Sequence, residues 1–201
     1  MATIQQFGVD IVPVEDRLLL KMNAAGAATM RFWLTRRFLA LFWKGLTEEL
    51  RKTVAEAKSV AARDFLLDMA ETRLTAKADF ATAFEDRAAV RPPRQAVAAA
   101  PTAPAAAAAP PPPAAASAAN TLPPPRLLWG FNIKRQADAR TAIVLIATDN
   151  ARIDIALADD GLFGLMRILR DAAAKAEWEL PLAWGAGMPG AVAHGETRHL
   201  N

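Results

Sequence analysis

The stretch Asp16–Leu50, DRLLLKMNAAGAATMRFWLTRRFLALFWKGLTEEL, decides how the rest of the chain is read. Leu18, Leu20 and Met22 alternate with Leu19 and Lys21. After the loop Asn23–Ala27, Met30, Phe32 and Leu34 alternate with Arg31, Trp33 and Thr35. A period of two belongs to half-buried strands, and Asn-Ala-Ala-Gly-Ala suits a hairpin loop. The period then changes, because Leu39, Phe42, Trp43, Leu46 and Leu50 fall on one face of a helix. The stretch therefore reads as strand, turn, strand and helix, with almost no loop before the helix.

The same grammar recurs at Thr141–Trp178, TAIVLIATDNARIDIALADDGLFGLMRILRDAAAKAEW. AIVLIAT (142–148) is apolar at nearly every position, as a strand covered on both faces would be. Asp149-Asn150 turns into Arg152–Ala158, where Ile153, Ile155 and Leu157 alternate with polar or small residues. Asp159 or Asp160 is placed to cap a helix whose buried face is Leu162, Leu165, Leu169, Ala173 and Ala176, and Pro181 stops it. Each copy is preceded by one more alternating segment: Phe7, Val9 and Ile11 in the first, and Leu127, Trp129, Phe131 and Ile133 in the second.

Between the copies, Thr47 to about Arg87 is free of proline and rich in Ala, Glu, Lys and Arg. Helix is expected to continue or restart there, with Phe65, Met69, Phe80 and Phe84 as a sparse apolar face. Pro92 and Pro93 end it. Residues 91–125 hold 11 Pro and 15 Ala, too little apolar bulk to order themselves, and are expected to be a disordered linker. Its random-coil span of roughly 30 Å lets the second half fold back onto the first. The expected organisation is a first repeat with a helical extension (1–90), the linker (91–125), a second repeat (126–181) and a disordered tail (182–201). The fold class is α+β: two strand-hairpin-then-helix units packed as a pseudo-twofold pair.

Charge narrows the function. Two of the three net positive charges are Arg91 and Arg94 in the linker, since residues 1–90 carry 13 Lys/Arg against 12 Asp/Glu and residues 126–201 carry 9 against 9. Neither half offers a broad phosphate-binding surface. The absence of Cys removes disulfides and thiol chemistry. The N-terminus lacks a basic region followed by an apolar core, and no apolar run reaches membrane-spanning length, so a cytoplasmic protein without membrane partners is expected.

Two motifs imitate chemistry. Gly185-Ala-Gly187-Met-Pro-Gly190 matches a dinucleotide fingerprint in letters, but a helix precedes it and Pro189 interrupts it. His194 and His199, the only histidines, lie five apart in the polar terminus, which is wrong for two ligands on one helix face. The folded body thus has neither imidazole nor thiol, and no carboxylate pair stands out, so no catalytic residue, metal ligand or cofactor is assigned. The expected role is a non-enzymatic protein-interaction or adaptor module with a protein partner and no small-molecule substrate.

The alternative role is single-stranded nucleic-acid binding on the sheet face. Trp33 flanked by Lys21 and Arg31 on the outward strand phase could stack bases. Arg36 and Arg37 are the remaining candidate partner-binding residues. They sit at a helix N-terminus, where basic side chains oppose the macrodipole and call for exposure or an anion. That anion is either Asp159/Asp160 across the pseudo-twofold or an external partner.

The blocks EDRLLLKMN…MRFWLTRRF (15–38) and ARIDIALADDGLFGLMRIL (151–169) resemble an uncharacterised bacterial family. The resemblance covers about half the chain and implies no activity and no site. The order of several strands and then a helix, given twice, is also similar to Whirly and Pur-type modules, which bind single-stranded nucleic acid. That similarity is of topology alone.

Overall fold

The structure is a computed structural model that describes residues 2–76, 80, 82–87 and 122–184. The Ala/Pro tract up to position 121 and the tail from 185, with its glycine motif and both histidines, lie outside the described residues. The elements are β1 (Ala2–Val12), β2 (Arg17–Ala24), β3 (Met30–Leu34), α1 (Arg36–Thr53) and α2 (Val60–Thr75). Then follow β4 (Arg126–Arg135), β5 (Thr141–Ala147), β6 (Arg152–Leu157) and α3 (Asp159–Lys175). The fold is α+β, as the periodicities indicate.

The six strands close into one barrel in chain order. Each half is an antiparallel meander, and the halves join through two short parallel contacts, β3 with β4 and β6 with β1. The pseudo-twofold relation can be read from the register. Leu18 pairs with Leu34 as Thr141 pairs with Leu157, so these strands are related by a shift of 123 positions. Ile11 pairs with Leu18 as Arg135 pairs with Thr141, which makes the shift 124 for the first strand of each half. The parallel joints obey the same rule: Ala2 faces Ile155, and Arg126 faces Phe32. Even the irregularities repeat. The register slips between Ile4 and Gln6 and again between Leu128 and Gly130, and the left-handed turn residue is Asp16 in one half and Ala139 in the other.

Inward residues of the strands and the apolar faces of α1 and α3 form one contiguous core. Leu18, Leu20, Met22, Phe32 and Leu34 meet Ile143, Leu145, Ile155 and Leu157 there, with Leu39, Phe42, Leu46, Leu162, Leu165 and Leu169 from the helices. The helices cross over, α1 packing on β4 and α3 on β1, so each half is closed by the other half's strand.

The structure corrects several expectations. The helix after Thr47 restarts at Val60, one of the two expected courses, but the described residues from 82 to 87 are not helical and run as an irregular strap. α2 buries Asp64, Leu67, Glu71 and Thr75, whereas Phe65 (63% exposed) and Met69 (56%) point outward. The reason is ionic. Arg51 of α1 grips Asp64 through two hydrogen bonds of 2.7 and 3.0 Å, and Arg170 of α3 grips Glu71. A helix with its charged face paired inward must turn its apolar residues out. Residues 182–184, expected to begin the disordered tail, are packed instead: Leu182 is buried, and Trp184 packs on Trp43 and Phe163 and donates to Glu71 at 2.5 Å. Finally, α3 is entered through Ala158 without a side-chain cap, while Thr35 caps α1 by accepting from the Phe38 amide.

Candidate functional site

The helix-on-strand seats of the two halves differ sharply. Where α1 crosses β4, Phe131 lies edge-on to Phe38 and Phe42, with centroids 5.8 and 5.2 Å apart. The approach is so close that a Cβ on Gly45 would stand 2.9 Å from Phe131 and 3.2 Å from Ile133. This seat is full.

The shift of 123 places Gly161 at the position of Phe38, Gly164 at that of Leu41 and Ile168 at that of Gly45. In the second seat, where α3 crosses β1, the Phe38 ring has no counterpart, and Ile168 stands where Gly45 makes room for the Phe131 ring. A Cβ at Gly164 would meet nothing within 4 Å, and one at Gly161 only Leu157 at 3.8 Å. What remains is a groove of about 980 Å³. Phe7, Val9, Ile11, Leu74, Ile168 and Ala172 give it apolar lining, and its charged residues are of both signs: Asp10, Asp160 and Asp171 with Arg87, Arg140 and Lys175. Among the described residues, β1 pairs with β6 only at Ala2 and Thr3, so the edge from Ile4 to Ile11 lines the groove instead of a ladder.

The strap forms one wall. Phe84 sits where Gly8 has no side chain, and a Cβ there would come within 2.7–2.9 Å of its ring atoms. Lys21 Nζ lies 4.8 Å from the Phe84 centroid, 3.0 Å from Asp10 and 3.8 Å from Asp86. The backbone of the strap is held by side chains. Gln6 donates to the Ala83 carbonyl (3.1 Å) and Asn23 to that of Glu85 (2.8 Å), while Thr29 Oγ1 accepts from the Arg87 amide (2.7 Å). The Thr29 amide in turn donates to the Arg87 carbonyl (2.9 Å). Lys21 (8% exposed), Asn23 (0%) and Thr29 (0%) are thus buried polar groups on the outer side of the sheet. Ordering six residues costs roughly 1–2 kcal/mol each in backbone entropy. About six hydrogen bonds return roughly 1 kcal/mol apiece, so the strap is held near balance.

The residues singled out from sequence are distributed as follows. Lys21 is engaged beneath the strap. Arg31 stands opposite it across the β2–β3 ladder, its buried Nε without a hydrogen-bond partner among the described residues. Trp33 is half-buried opposite Leu19. Arg36 meets neither Asp159 nor Asp160. It bonds to Asp16 at 3.0–3.2 Å and lies over the Trp178 ring at 5.6 Å, while Asp159 is bound by Arg135. Arg37 is exposed. Trp178 Nε1 also donates to Asp16 (2.8 Å), and this bond, followed by that from Arg36, holds the Asp16 carboxyl below its ordinary pKa of 3.8.

Sequence reasoning missed the groove. The signal was there, because aligning the two helices opposes Phe38 to Gly161, but only a known packing partner turns that mismatch into a cleft. Among the described residues no group of three or more acidic or histidine side chains is arranged to hold a metal, and no helix is long and apolar enough to cross a membrane. Comparison with known proteins returns no matching family model, no matching curated protein and no matching solved structure.

Proposed function

We propose that this protein is a non-enzymatic interaction module that receives an extended segment of a partner protein in the groove between β1 and α3. The observation that carries the reading is the broken symmetry. One helix seat is filled by Phe38 and Phe42 on Phe131, and its counterpart has Gly161 where Phe38 stands, with the neighbouring Gly164 also bare of a side chain. An extended chain can add to the unpaired edge of β1 by backbone hydrogen bonds while its alternate side chains enter the apolar lining. The mixed charges around the groove suit a peptide better than a phosphate backbone, whose binding draws on an excess of cations.

Panning a random peptide library against the full chain tests this. The counter-selection uses Gly161→Phe with Gly164→Leu, which restores the first half's side chains. Peptides recovered on the wild type are expected to lose at least about tenfold in affinity for the folded double variant, since a large apolar side chain then fills their site. Equal binding to both proteins, or no peptide recovered above background, rules the groove out as the partner site.

A further inference from the structure

We infer that the outer face of β1–β2 is itself a recognition site for an extended segment of the form aromatic–any–acidic, occupied in cis by the chain's own Phe84-Glu85-Asp86. The backbone of the strap is read by Gln6, Asn23 and Thr29 through carbonyl and amide groups, which any residue supplies. Two features read side chains. The bare Cα of Gly8, together with the Lys21 ammonium, receives the aromatic ring, and Lys21 also receives the carboxylate two residues on. Arg31, across the ladder from Lys21, adds a second cation whose Nε has no hydrogen-bond partner among the described residues.

The seat has the chemistry of an exchangeable site. A strap fixed for structure would be expected to bury apolar surface, whose exposure is costly. Here the groups that the strap covers are Lys21, Asn23 and Thr29, all of which water can satisfy. Residues 82, 83 and 85–87 are exposed, and Phe84 is only half-buried. A competing segment with the same motif therefore replaces the strap without opening the core. Phe80, Thr82, Phe84 and Arg87 also line the β1–α3 groove, so displacement widens it. Only this last consequence rests on the groove being the partner site.

The test uses a labelled synthetic peptide with the sequence of Phe80–Arg87, FATAFEDR, added to the full chain. Wild type is expected to bind it weakly. Phe84→Ser is expected to bind it at least about tenfold more tightly, because the tethered strap no longer competes at high effective concentration. Adding Gly8→Val to Phe84→Ser fills the ring's seat and abolishes binding, as does replacing the peptide's own phenylalanine at the Phe84 position by serine. In wild type, saturating peptide should speed hydrogen exchange at the Glu85 and Arg87 amides, a measurement that does not depend on any variant folding. Equal affinity for wild type and Phe84→Ser, undiminished binding after Gly8→Val, or unchanged exchange in the strap would each overturn the inference. Gly161→Phe with Gly164→Leu should leave this peptide's binding intact, so failure of the seat and failure of the groove are told apart.

Discussion

The helix of the first half and the helix of the second meet the opposite half in unlike ways, although every strand beneath them is related by a shift of 123 or 124 positions. α1 reaches β4 through an aromatic cluster and a glycine, Gly45, that makes room for the Phe131 and Ile133 side chains. α3 reaches β1 with glycines where the ring and Leu41 would be and with Ile168 where the close contact would be. The ion pairs at the helix starts are also exchanged. In the first half the turn residue Asp16 is acidic and the helix residue Arg36 is basic; in the second, Arg135 at the end of β4 is basic and the helix residue Asp159 is acidic. Duplicated scaffolds of this kind teach that backbone symmetry is maintained by register and inward apolar residues. Side chains on the seats and outer faces are free to diverge, and one seat has become a cleft.

Substitutions at equivalent positions sharpen the contrast. Phe38→Ala should destabilise the fold by about 3–4 kcal/mol, because it opens a cavity among buried rings. Gly161→Ala, the matching change in the other half, should do no harm and add a few tenths of a kcal/mol through helix propensity. Chemical denaturation of both variants measures the difference. Equal costs at the two positions would mean that the second seat is as closely packed as the first.

The next effect concerns α2, which has no counterpart among the described residues after α3. Its inward face is held by Arg51 on Asp64 and by Arg170 and Trp184 on Glu71. Glu71→Ala leaves Arg170 half-buried without its carboxylate and should cost about 2 kcal/mol, less than a fully buried pair because the arginine still reaches water. The same change should release Trp184, seen as a red shift in tryptophan emission. A stability loss below about 0.5 kcal/mol would show that the ionic face does not set the orientation of α2.

Gly164→Leu, placed in the open seat, should raise stability by about 0.5–1 kcal/mol, since it removes a helix glycine and meets no atom within 4 Å. Thermal melting checks the sign. A drop in melting temperature would mean that the groove is closed in solution.

The smallest expected effect is the pH response of Asp16. The Trp178 indole and the Arg36 guanidinium depress its folded pKa below 3.8, so the stability it contributes is complete above the unfolded value and is lost as pH falls through the folded one. Trp178→Phe removes the larger of the two influences. Carboxyl-detected NMR titration should then find Asp16 titrating at higher pH; an unchanged midpoint would show that the indole bond does not form in solution.

Much of this architecture is legible in the chain. Alternation at Leu18–Met22 and Met30–Leu34, and its echo at 142–157, identifies the strands because a pleated strand turns alternate residues to one face. The helix faces of α1 and α3 follow from their 3.6-residue period for the same geometric reason. Less legible were α2, whose charges rather than its phenylalanine and methionine turn inward, and the strap, whose six residues carry no period at all. Periodicity assumes that apolar residues face the core, and it fails where arginines on neighbouring elements make the ionic face the better one to bury.

Local sequence thus determined which segments are strands and helices, that they occur twice, and which residues face inward, since each of these depends on spacing within a few turns of chain. Tertiary structure alone decided that the two meanders close into one barrel, that the helices cross to the opposite half, that Arg36 turns to Asp16 and Asp159 to Arg135, and that one seat is open. Those outcomes depend on which side chains meet across the fold, 20 positions apart for Arg36 and Asp16 and well over a hundred for α3 and β1. A glycine has no partner in the sequence; only a β1 strand standing opposite Gly161 and Gly164 makes the missing side chains a groove.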